Sequence, residues 1–410
     1  MNSLTTIMFK FKNKYKNLSK IEKINFHKNK LQKLKNNIKN IIYAQATTVC
    51  IRNIKQACAH QKNNINVHLF HSGNSPNDFY GYGNQFYASI TKVHKKIQLN
   101  WERKVVKLIN QSNSDLIHVH NEPDLMPMRI MAMDLGIPVI YDQHDFLSGK
   151  RTLNTELLKH EKYCNEKNDG AVFITDYYRD LVASKYSINN LNISFPNFGS
   201  DEMILKKEDL LPKLSLKSKK IHLVYVGAID QENPNITRYL IPQIKELSNQ
   251  NFIIDIYPSQ NGNYTKYENI KNVNVMNRLN PKKLIKALSQ YDCGLTLVNP
   301  NAVNMPEELK FGFWNKTFDY LMAGIPQITL KQFTVISEFV EENGFGISTP
   351  SLSELNKNHE QLSNYLSSLQ PKIIENNKNY TYESQINNMH SFYIDVIKKY
   401  HNNRIKKLEK

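Results

Sequence analysis

The sequence NKTFDYLMAGIPQIT at residues 315–329 carries the strongest indication of the fold. Asn315 is a favourable N-cap residue, and residues 317–322 predict a short helix. Gly324 ends that helix, and after a turn residues 327–329 predict an apolar strand. A helix that begins just after a loop presents unpaired backbone N–H groups and a partial positive charge, and both favour a phosphate group.

Two charged residues lie on this predicted helix. Lys316 adds a full positive charge to its first turn, and Asp319 follows three residues later. A carboxylate at that position is able to accept hydrogen bonds from two sugar hydroxyls. The combination predicts a nucleotide site, whereas the alternative is a solvated ion pair on a surface helix.

The composition indicates a globular protein of two domains. The chain has 410 residues, of which 40% are hydrophobic and 22% charged. It has no apolar run long enough to span a membrane, and lysines stand where a signal peptide needs its apolar segment. Four scattered cysteines lack metal-type spacing and fit free thiols in a reducing compartment. We therefore expect a cytoplasmic protein.

The net charge of +17 raises the question of an acidic partner. Only 8 of the 54 basic residues are arginine, whereas a specific nucleic-acid reader uses arginine at base edges and phosphates. We therefore expect no specific nucleic-acid partner.

Residues 1–37 form a basic extension. Residues 1–40 contain 11 lysines and a single acidic residue, Glu22, with apolar residues at mostly helical spacings between them. This pattern predicts a basic amphipathic helix, which makes an anionic membrane surface a candidate partner and the location membrane-associated. The alternatives are that its apolar stripe packs on the protein or that the segment stays mobile.

The remaining sequence alternates strands and helices twice, which predicts an α/β fold. The expected divisions are a first Rossmann-like domain over residues 38–199, a linker over 200–219, a second Rossmann-like domain over 220–350 and helices over 351–410. Helical patterns are expected over 85–111 and 235–248. The turn after the first strand lacks the G-x-G-x-x-G sequence, so a hydride-transfer enzyme is disfavoured. The loop at 71–84, rich in glycine and aromatic residues, is typical of a mobile segment over an acceptor site, and equally of a surface loop.

Polar residues end two successive strands of the first domain, predicted at 115–123 and 136–141. The carboxyl ends of parallel strands open onto the binding crevice, so both strands deliver polar side chains to one edge. These are His118, His120, Glu122, His144 and Asp145. No H-E-x-x-H pair or Asp-x-Asp sequence is present, and we expect no metal.

These features together resemble the GT-B glycosyltransferases of the family-four (group 1) type. The order of Lys316, Asp319 and the Gly324-Ile-Pro turn is similar to the nucleotide-sugar motif of that family. His-x-His near Glu-Pro, followed by His-Asp after the next strand, is similar to its acceptor-side domain. The resemblance implies two Rossmann-like domains facing across a cleft, and a hexosyltransferase that moves a sugar from a nucleotide-diphosphate donor to an acceptor hydroxyl.

The resemblance also implies the acceptor class and the roles of individual residues. The acceptor is expected to be a glycan or a lipid-linked saccharide, and the reaction to be retaining and independent of metal, with no cofactor beyond the donor. The residues implied to position sugar and acceptor, the catalytic set, are His120, His144 and Asp145. The residues implied to bind the donor are Gly227, Asp230, Lys316, Asp319 and Gly324.

Two departures from the family pattern concern charge. Ala228 stands where many members carry an arginine, and Phe311 stands where they carry the first of two glutamates, with Glu307 and Glu308 only nearby. The negative charge of the leaving group would then be neutralised by Lys316, Arg238 or the helix N-terminus. The alternatives are a catalytically degenerate GT-B binding or assembly protein, and a nucleotide-sugar epimerase.

Overall fold

A computed structural model describes residues 15–34, 37–94, 98–303 and 305–410, with side chains described for all of these except 98–100, 356 and 357. Residues 1–14, 35 and 36 of the predicted basic extension lie outside the described residues. The chain folds into two α/β domains, each built on a parallel sheet. The two Rossmann-like domains predicted from the sequence are therefore confirmed.

The N-terminal domain contains seven parallel strands in the spatial order β3-β2-β1-β4-β5-β6-β7. They are β1 (Asn40–Gln45), β2 (Asn66–His71), β3 (Ser89–Lys92), β4 (Leu116–His120), β5 (Val139–Gln143), β6 (Gly170–Phe173) and β7 (Leu191–Ser194). Every residue of β4 and β5 is buried, as expected for parallel strands covered by helices on both faces. The order reverses direction between β1 and β4, where Tyr43 pairs with His118. In open α/β sheets, ligands bind beyond the strand ends at such a point.

In the part of the chain that the structure describes, eight α-helices accompany this sheet. They are α1 (Lys20–Leu34), α2 (Ile51–Lys62), α3 (Pro76–Tyr80), α4 (Gln98–Ser112), α5 (Leu125–Ala132), α6 (Leu147–Lys150), α7 (Thr155–Lys167) and α8 (Asp176–Ala183).

The C-terminal domain repeats the design with six strands in the order β10-β9-β8-β11-β12-β13. They are β8 (His222–Gly227), β9 (Ile253–Pro258), β10 (Val273–Val275), β11 (Cys293–Thr296), β12 (Gln327–Leu330) and β13 (Gly346–Thr349). The helices are α9 (Ser215–Ser218), α10 (Ile241–Asn249), α11 (Thr265–Glu268), α12 (Pro281–Leu288), α13 (Glu308–Phe311), α14 (Asn315–Met322), α15 (Thr334–Asn343), α16 (His359–Asn376) and α17 (Tyr382–Glu409).

The last helix returns to the first domain. The chain enters the C-terminal domain near Gly199 and leaves it near Thr381, and these two residues lie side by side: Gly199 N donates to Tyr380 O at 2.9 Å and Tyr382 N donates to Gly199 O at 3.0 Å. Beyond this point α17 packs on α1 and α2, and its Tyr393 joins the same core as Tyr43.

Helix α1 packs against α17. His27 and Leu34 are buried, and His27 Nδ1 lies 2.7 Å from His401 Nδ1 on α17. Ile21, part of the predicted apolar stripe, is 71% exposed. The described part of the extension therefore lies on the protein, and membrane contact stays a prediction. Among the described residues, no helix combines the length and apolar character needed to cross a bilayer.

Three predictions of local structure were wrong. Residues 89–92 form strand β3 instead of a helix, because they pair with β2 along the sheet edge. Helix α10 begins at Ile241, with Pro242 in its first turn, and the preceding residues 235–240 form turns and an isolated bridge between Tyr239 and Asp230. Helix α14 begins at Asn315, so its N-cap residue is Trp314 and not Asn315 as predicted. The side chain of Trp314 makes no capping hydrogen bond.

Candidate active site

A cavity of about 410 Å³ lies between the two domains at the start of α14. The N-terminal domain contributes Ile51, Phe79 and Tyr80 to its wall, and the C-terminal domain contributes the rest. The lining from the C-terminal domain is Met203, Val226, Gly227, Tyr257, Pro258, Ser259, Gln260, Arg278, Leu279, Pro281, Leu284, Ile285, Asn315, Lys316 and Asp319. The lining is therefore mostly apolar and includes three charged side chains, Arg278, Lys316 and Asp319, which is the usual character of a small-molecule site.

Lys316 provides a positive charge in this cavity. Its ammonium lies 3.9 Å from the centre of the Tyr225 ring, and its Nζ donates to Leu297 O at 3.2 Å. Burial, helped by repulsion from Arg238, lowers the pKa of Lys316 to about 7. An anion arriving in the cavity would favour the charged form and restore the ordinary pKa.

Asp319 lies one turn further along α14 and also lines the cavity. Its Oδ1 is 3.6 Å from Lys55 Nζ on α2, so the two domains meet here through opposite charges. Burial raises the pKa of Asp319, although Lys55 and Lys316 oppose the rise.

Gly227 ends β8 with a φ of 137°, a conformation that favours glycine. A Cβ atom at this position would lie 3.6 Å from Lys316 Nζ. The absence of a side chain therefore leaves space next to the lysine, and the role of Gly227 in binding the donor stays a prediction.

The loop at residues 71–84 covers one side of the cavity. Within it, α3 begins at a capping box in which Ser75 and Asp78 bond each other's backbone N–H. Arg278 of the other domain donates to Phe79 O at 2.9 Å and places its guanidinium carbon 4.5 Å from the Phe79 ring centre. The sequence was compatible with either a mobile segment over the site or an ordinary surface loop at residues 71–84. In the structure, this loop forms part of the cavity lining.

The polar residues at the ends of β4 and β5 form a buried cluster around Asp142. Arg52 Nε donates to both oxygens of the Asp142 carboxylate, at 3.2 and 2.9 Å, and His118 Nε2 lies 3.2 Å from Oδ2. Although burial opposes ionisation, Arg52 and the neighbouring histidines hold the pKa of Asp142 well below its usual range. The sequence analysis did not identify Asp142 as a site residue, because the resemblance to the family was carried by His144 and Asp145, which follow it.

Two of the predicted catalytic residues contact this cluster. His120 Nδ1 is 3.6 Å from Asp142 Oδ2, and burial holds the pKa of His120 well below its usual value. His144 Nδ1 is 3.7 Å from Asp142 Oδ1. Burial opposes protonation of His144, but Asp142 and the Cys50 thiol outweigh it and raise its pKa to about 9. One neutral and one charged imidazole therefore stand side by side.

His118, His120 and Asp142 also form the one described group of side chains close enough to share a metal ion, with ligand atoms within 4.8 Å of one another. Arg52 already occupies both oxygens of the Asp142 carboxylate. A metal ion bound there would lie against a guanidinium, so this geometry does not favour a metal site.

Asp145 lies at the domain interface. Lys150 bonds the Asp145 carboxylate and also lies 3.4 Å from Glu308 of the C-terminal domain. Glu308 accepts a hydrogen bond from Phe146 N at 3.0 Å, and burial raises its pKa to about 7. Glu308 therefore joins the domains.

The structure brings together only part of the predicted donor set. Gly227, Lys316 and Asp319 line the cavity. Asp230 instead accepts from the backbone N–H groups of Glu232 and Asn233 in a turn. Gly324 packs against α16, on the far end of α14 from the cavity. Among the described residues, His120, His144 and Asp145 do not line this cavity either.

Comparisons with known proteins agree with this architecture. Residues 48–195 match the family model described as Glycosyltransferase Family 4, and residues 235–391 match the one described as Glucosyltransferase 3-like, C-terminal domain. No curated protein matched the sequence.

Solved structures share the fold at low sequence identity. Sucrose-phosphate synthase from Thermosynechococcus elongatus is 14% identical with a TM-score of 0.61, over 88% of this chain and 100% of that one. HepE of Anabaena, in complex with UDP-glucose, is 11% identical with a TM-score of 0.61, over 86% of this chain and 98% of that one. A glycosyltransferase from Rickettsia africae ESF-5 is 12% identical with a TM-score of 0.58, over 91% of this chain and 99% of that one.

Identities this low show the fold alone, but the two family matches fall on the two domains in chain order. The resemblance to GT-B glycosyltransferases of the family-four (group 1) type is therefore confirmed: each domain matches a glycosyltransferase family model, and the fold is that of GT-B glycosyltransferases.

Proposed function

We propose that this chain transfers a hexosyl group from a uridine-diphosphate sugar to a hydroxyl of a glycan or lipid-linked saccharide. The observation that carries the proposal is the cavity between the domains, in which Lys316 and Asp319 stand one turn apart at the start of α14. HepE, which shares the fold, binds UDP and UDP-glucose, and this similarity supports uridine as the base.

The donor in this proposal is held by the part of the cavity lining that the C-terminal domain contributes. Asp319 accepts hydrogen bonds from the two ribose hydroxyls, and Lys316 with the backbone at Gly227 contacts the diphosphate. Leu279 and Tyr257, from the same lining, pack against the base. Lys316 gains its proton as the diphosphate arrives, because the anion reverses the effect of burial on the lysine pKa.

In the chemical step, the bond from the sugar C1 to the β-phosphate oxygen breaks and a bond from C1 to the acceptor oxygen forms. The acceptor proton passes to the departing diphosphate on the same face of the sugar, which gives retention. Lys316 stabilises the negative charge that develops on the leaving group. Protein cations supply this stabilisation, so the proposal requires no metal.

The polar cluster at the ends of β4 and β5 has a positioning role in the proposal. His120 is buried and does not line the cavity, but its two ring nitrogens have no hydrogen-bond partner among the described residues, and the proposal assigns them to a sugar hydroxyl of the bound donor. His144 and Asp142 lie directly behind it and fix its surroundings. Closure of the domains over the site excludes water that would otherwise hydrolyse the donor.

The test is thermal unfolding with UDP, GDP, ADP and CMP, on the wild type, on Asp319→Ala and on the exposed control Asp209→Ala. A nucleotide at a hundred times its dissociation constant stabilises by about 2.7 kcal/mol. We expect UDP to stabilise the wild type and the control, but to stabilise Asp319→Ala far less. Equal stabilisation of Asp319→Ala would contradict the ribose assignment. An epimerase would convert UDP-glucose without an acceptor, whereas a transferase releases UDP in proportion to added acceptor.

A further inference from the structure

A buried lysine of the N-terminal domain faces the proposed donor site without a full set of partners. Lys55 on α2 is 1% exposed. Among the described residues, its Nζ makes no hydrogen bond, and its one ion pair is the 3.6 Å contact with Asp319. A buried ammonium with three unsatisfied N–H groups is costly, which indicates that a ligand completes the site.

The helix that carries Lys55 is held firmly in place. Arg52, one turn earlier, donates to Asp142 and to the carbonyl oxygens of Phe195 and Pro196, at the point where the chain leaves the first domain. Ile51, four residues before Lys55 and so on the same face of α2, lines the cavity. Lys55 itself does not line the cavity, but its ammonium lies 3.6 Å from the carboxylate of Asp319, which does.

The missing partner is expected to be an anion of more than one charge. Lys55 lies next to Asp319, which lines the cavity, so a ligand bound at Asp319 is also close to Lys55. On the C-terminal side of the cavity, Lys316 is the cation on α14. Two lysines from different domains, both close enough to Asp319 to oppose the rise that burial causes in its pKa, match the two charged phosphates of a nucleoside diphosphate.

We propose that Lys55 contacts the diphosphate of the donor, so that the diphosphate is held between Lys316 of one domain and Lys55 of the other. This inference rests on the proposed function, since it assigns a further residue to the same donor site. Donor binding then joins the domains through charge, and a nucleoside without phosphates does not make this connection.

The experiment compares UDP with uridine, using titration calorimetry on the full chain. The variants are Lys55→Met, the polar and uncharged Lys55→Gln, and the exposed control Lys159→Met on α7. Loss of a charge-assisted contact is expected to weaken UDP binding by about tenfold or more. The affinity for uridine is expected to stay within about twofold of the wild type, because no phosphate is involved.

A second set of variants separates a phosphate contact from simple pairing with Asp319. In a chain that already carries Asp319→Asn, adding Lys55→Gln is expected to weaken UDP binding by about the same factor as Lys55→Gln does in the wild type. If Lys55 acts only through Asp319, this second loss disappears, and the inference is overturned. An equal loss of UDP and uridine affinity in Lys55→Gln would overturn it too. A wild type that binds no UDP would refute the proposed function itself, whereas a wild type that binds UDP as tightly as Lys55→Gln refutes only the role of Lys55.

Discussion

The low pKa of Lys316 predicts that donor binding takes up a proton. With a pKa of about 7, only about a tenth of the empty sites carry the lysine proton at pH 8. A diphosphate in contact with Lys316 favours the charged form, so binding at pH 8 should take up about 0.9 of a proton. The UDP affinity should consequently fall nearly tenfold between pH 8 and pH 9, as the lysine proton becomes harder to supply.

Titration calorimetry measures this uptake directly. The binding enthalpy of UDP at pH 8 is recorded in two buffers of different ionisation enthalpy, and the difference gives the number of protons taken up. The terminal phosphate of UDP, with a second pKa near 6, is fully ionised at pH 8 and contributes little. The neighbouring Tyr225 has a raised pKa and stays protonated.

Lys316→Met is the matched control, because it removes the titrating group and leaves the cavity wall otherwise intact. Its binding of UDP should be weaker and accompanied by almost no proton uptake. Uptake in this variant equal to that of the wild type would assign the proton to another group. Uptake near zero in the wild type would show that Lys316 is already charged in the empty site, and would refute the reasoning from burial.

Two further predictions concern stability. Arg52→Met leaves the buried carboxylate of Asp142 without its main partner, and should lower the free energy of unfolding by about 3–5 kcal/mol in urea denaturation. Arg151→Met breaks an exposed ion pair instead and should cost about 1 kcal/mol or less; equal losses would contradict the argument from burial. Glu308 has its pKa raised from 4.5 to about 7, so the stability it contributes is complete below about pH 4.5 and is lost as the pH rises through 7. Relative to Glu308→Gln, the wild type should lose about 3 kcal/mol between pH 4.5 and pH 7.5, and identical pH profiles would disprove the shift.

Much of the fold could be predicted because its strands are short apolar runs separated by helical patterns. The errors arose where pairing overrides local pattern. Residues 89–92 become a strand only because the edge of β2 is available to them. The predicted helix over 235–248 placed Pro242 in its interior, whereas proline is favoured in the first turn of a helix. The position of Pro242 could therefore have indicated from the sequence that α10 begins at Ile241.

The site was predicted less completely because half of it comes from contacts between distant residues. Lys316 and Asp319 lie on one helix, and their spacing alone placed them on the same wall. Lys55 meets Asp319 from the other domain, and no local pattern distinguishes it from the other lysines of the chain. Asp230 and Gly324 are close in sequence to donor-site residues, but their turns place them outside the cavity.

The return of α17 to the first domain has a consequence for synthesis of the protein. The core that contains Tyr43 of β1 also contains Tyr393 and Ile397, which belong to the final 28-residue helix. During translation, the first domain therefore emerges with its described strands but with one apolar face uncovered until residues 382–409 have been synthesised. A fragment that stops before α17 would keep that face exposed permanently. The N-terminal domain is therefore expected to aggregate when it is expressed without α17.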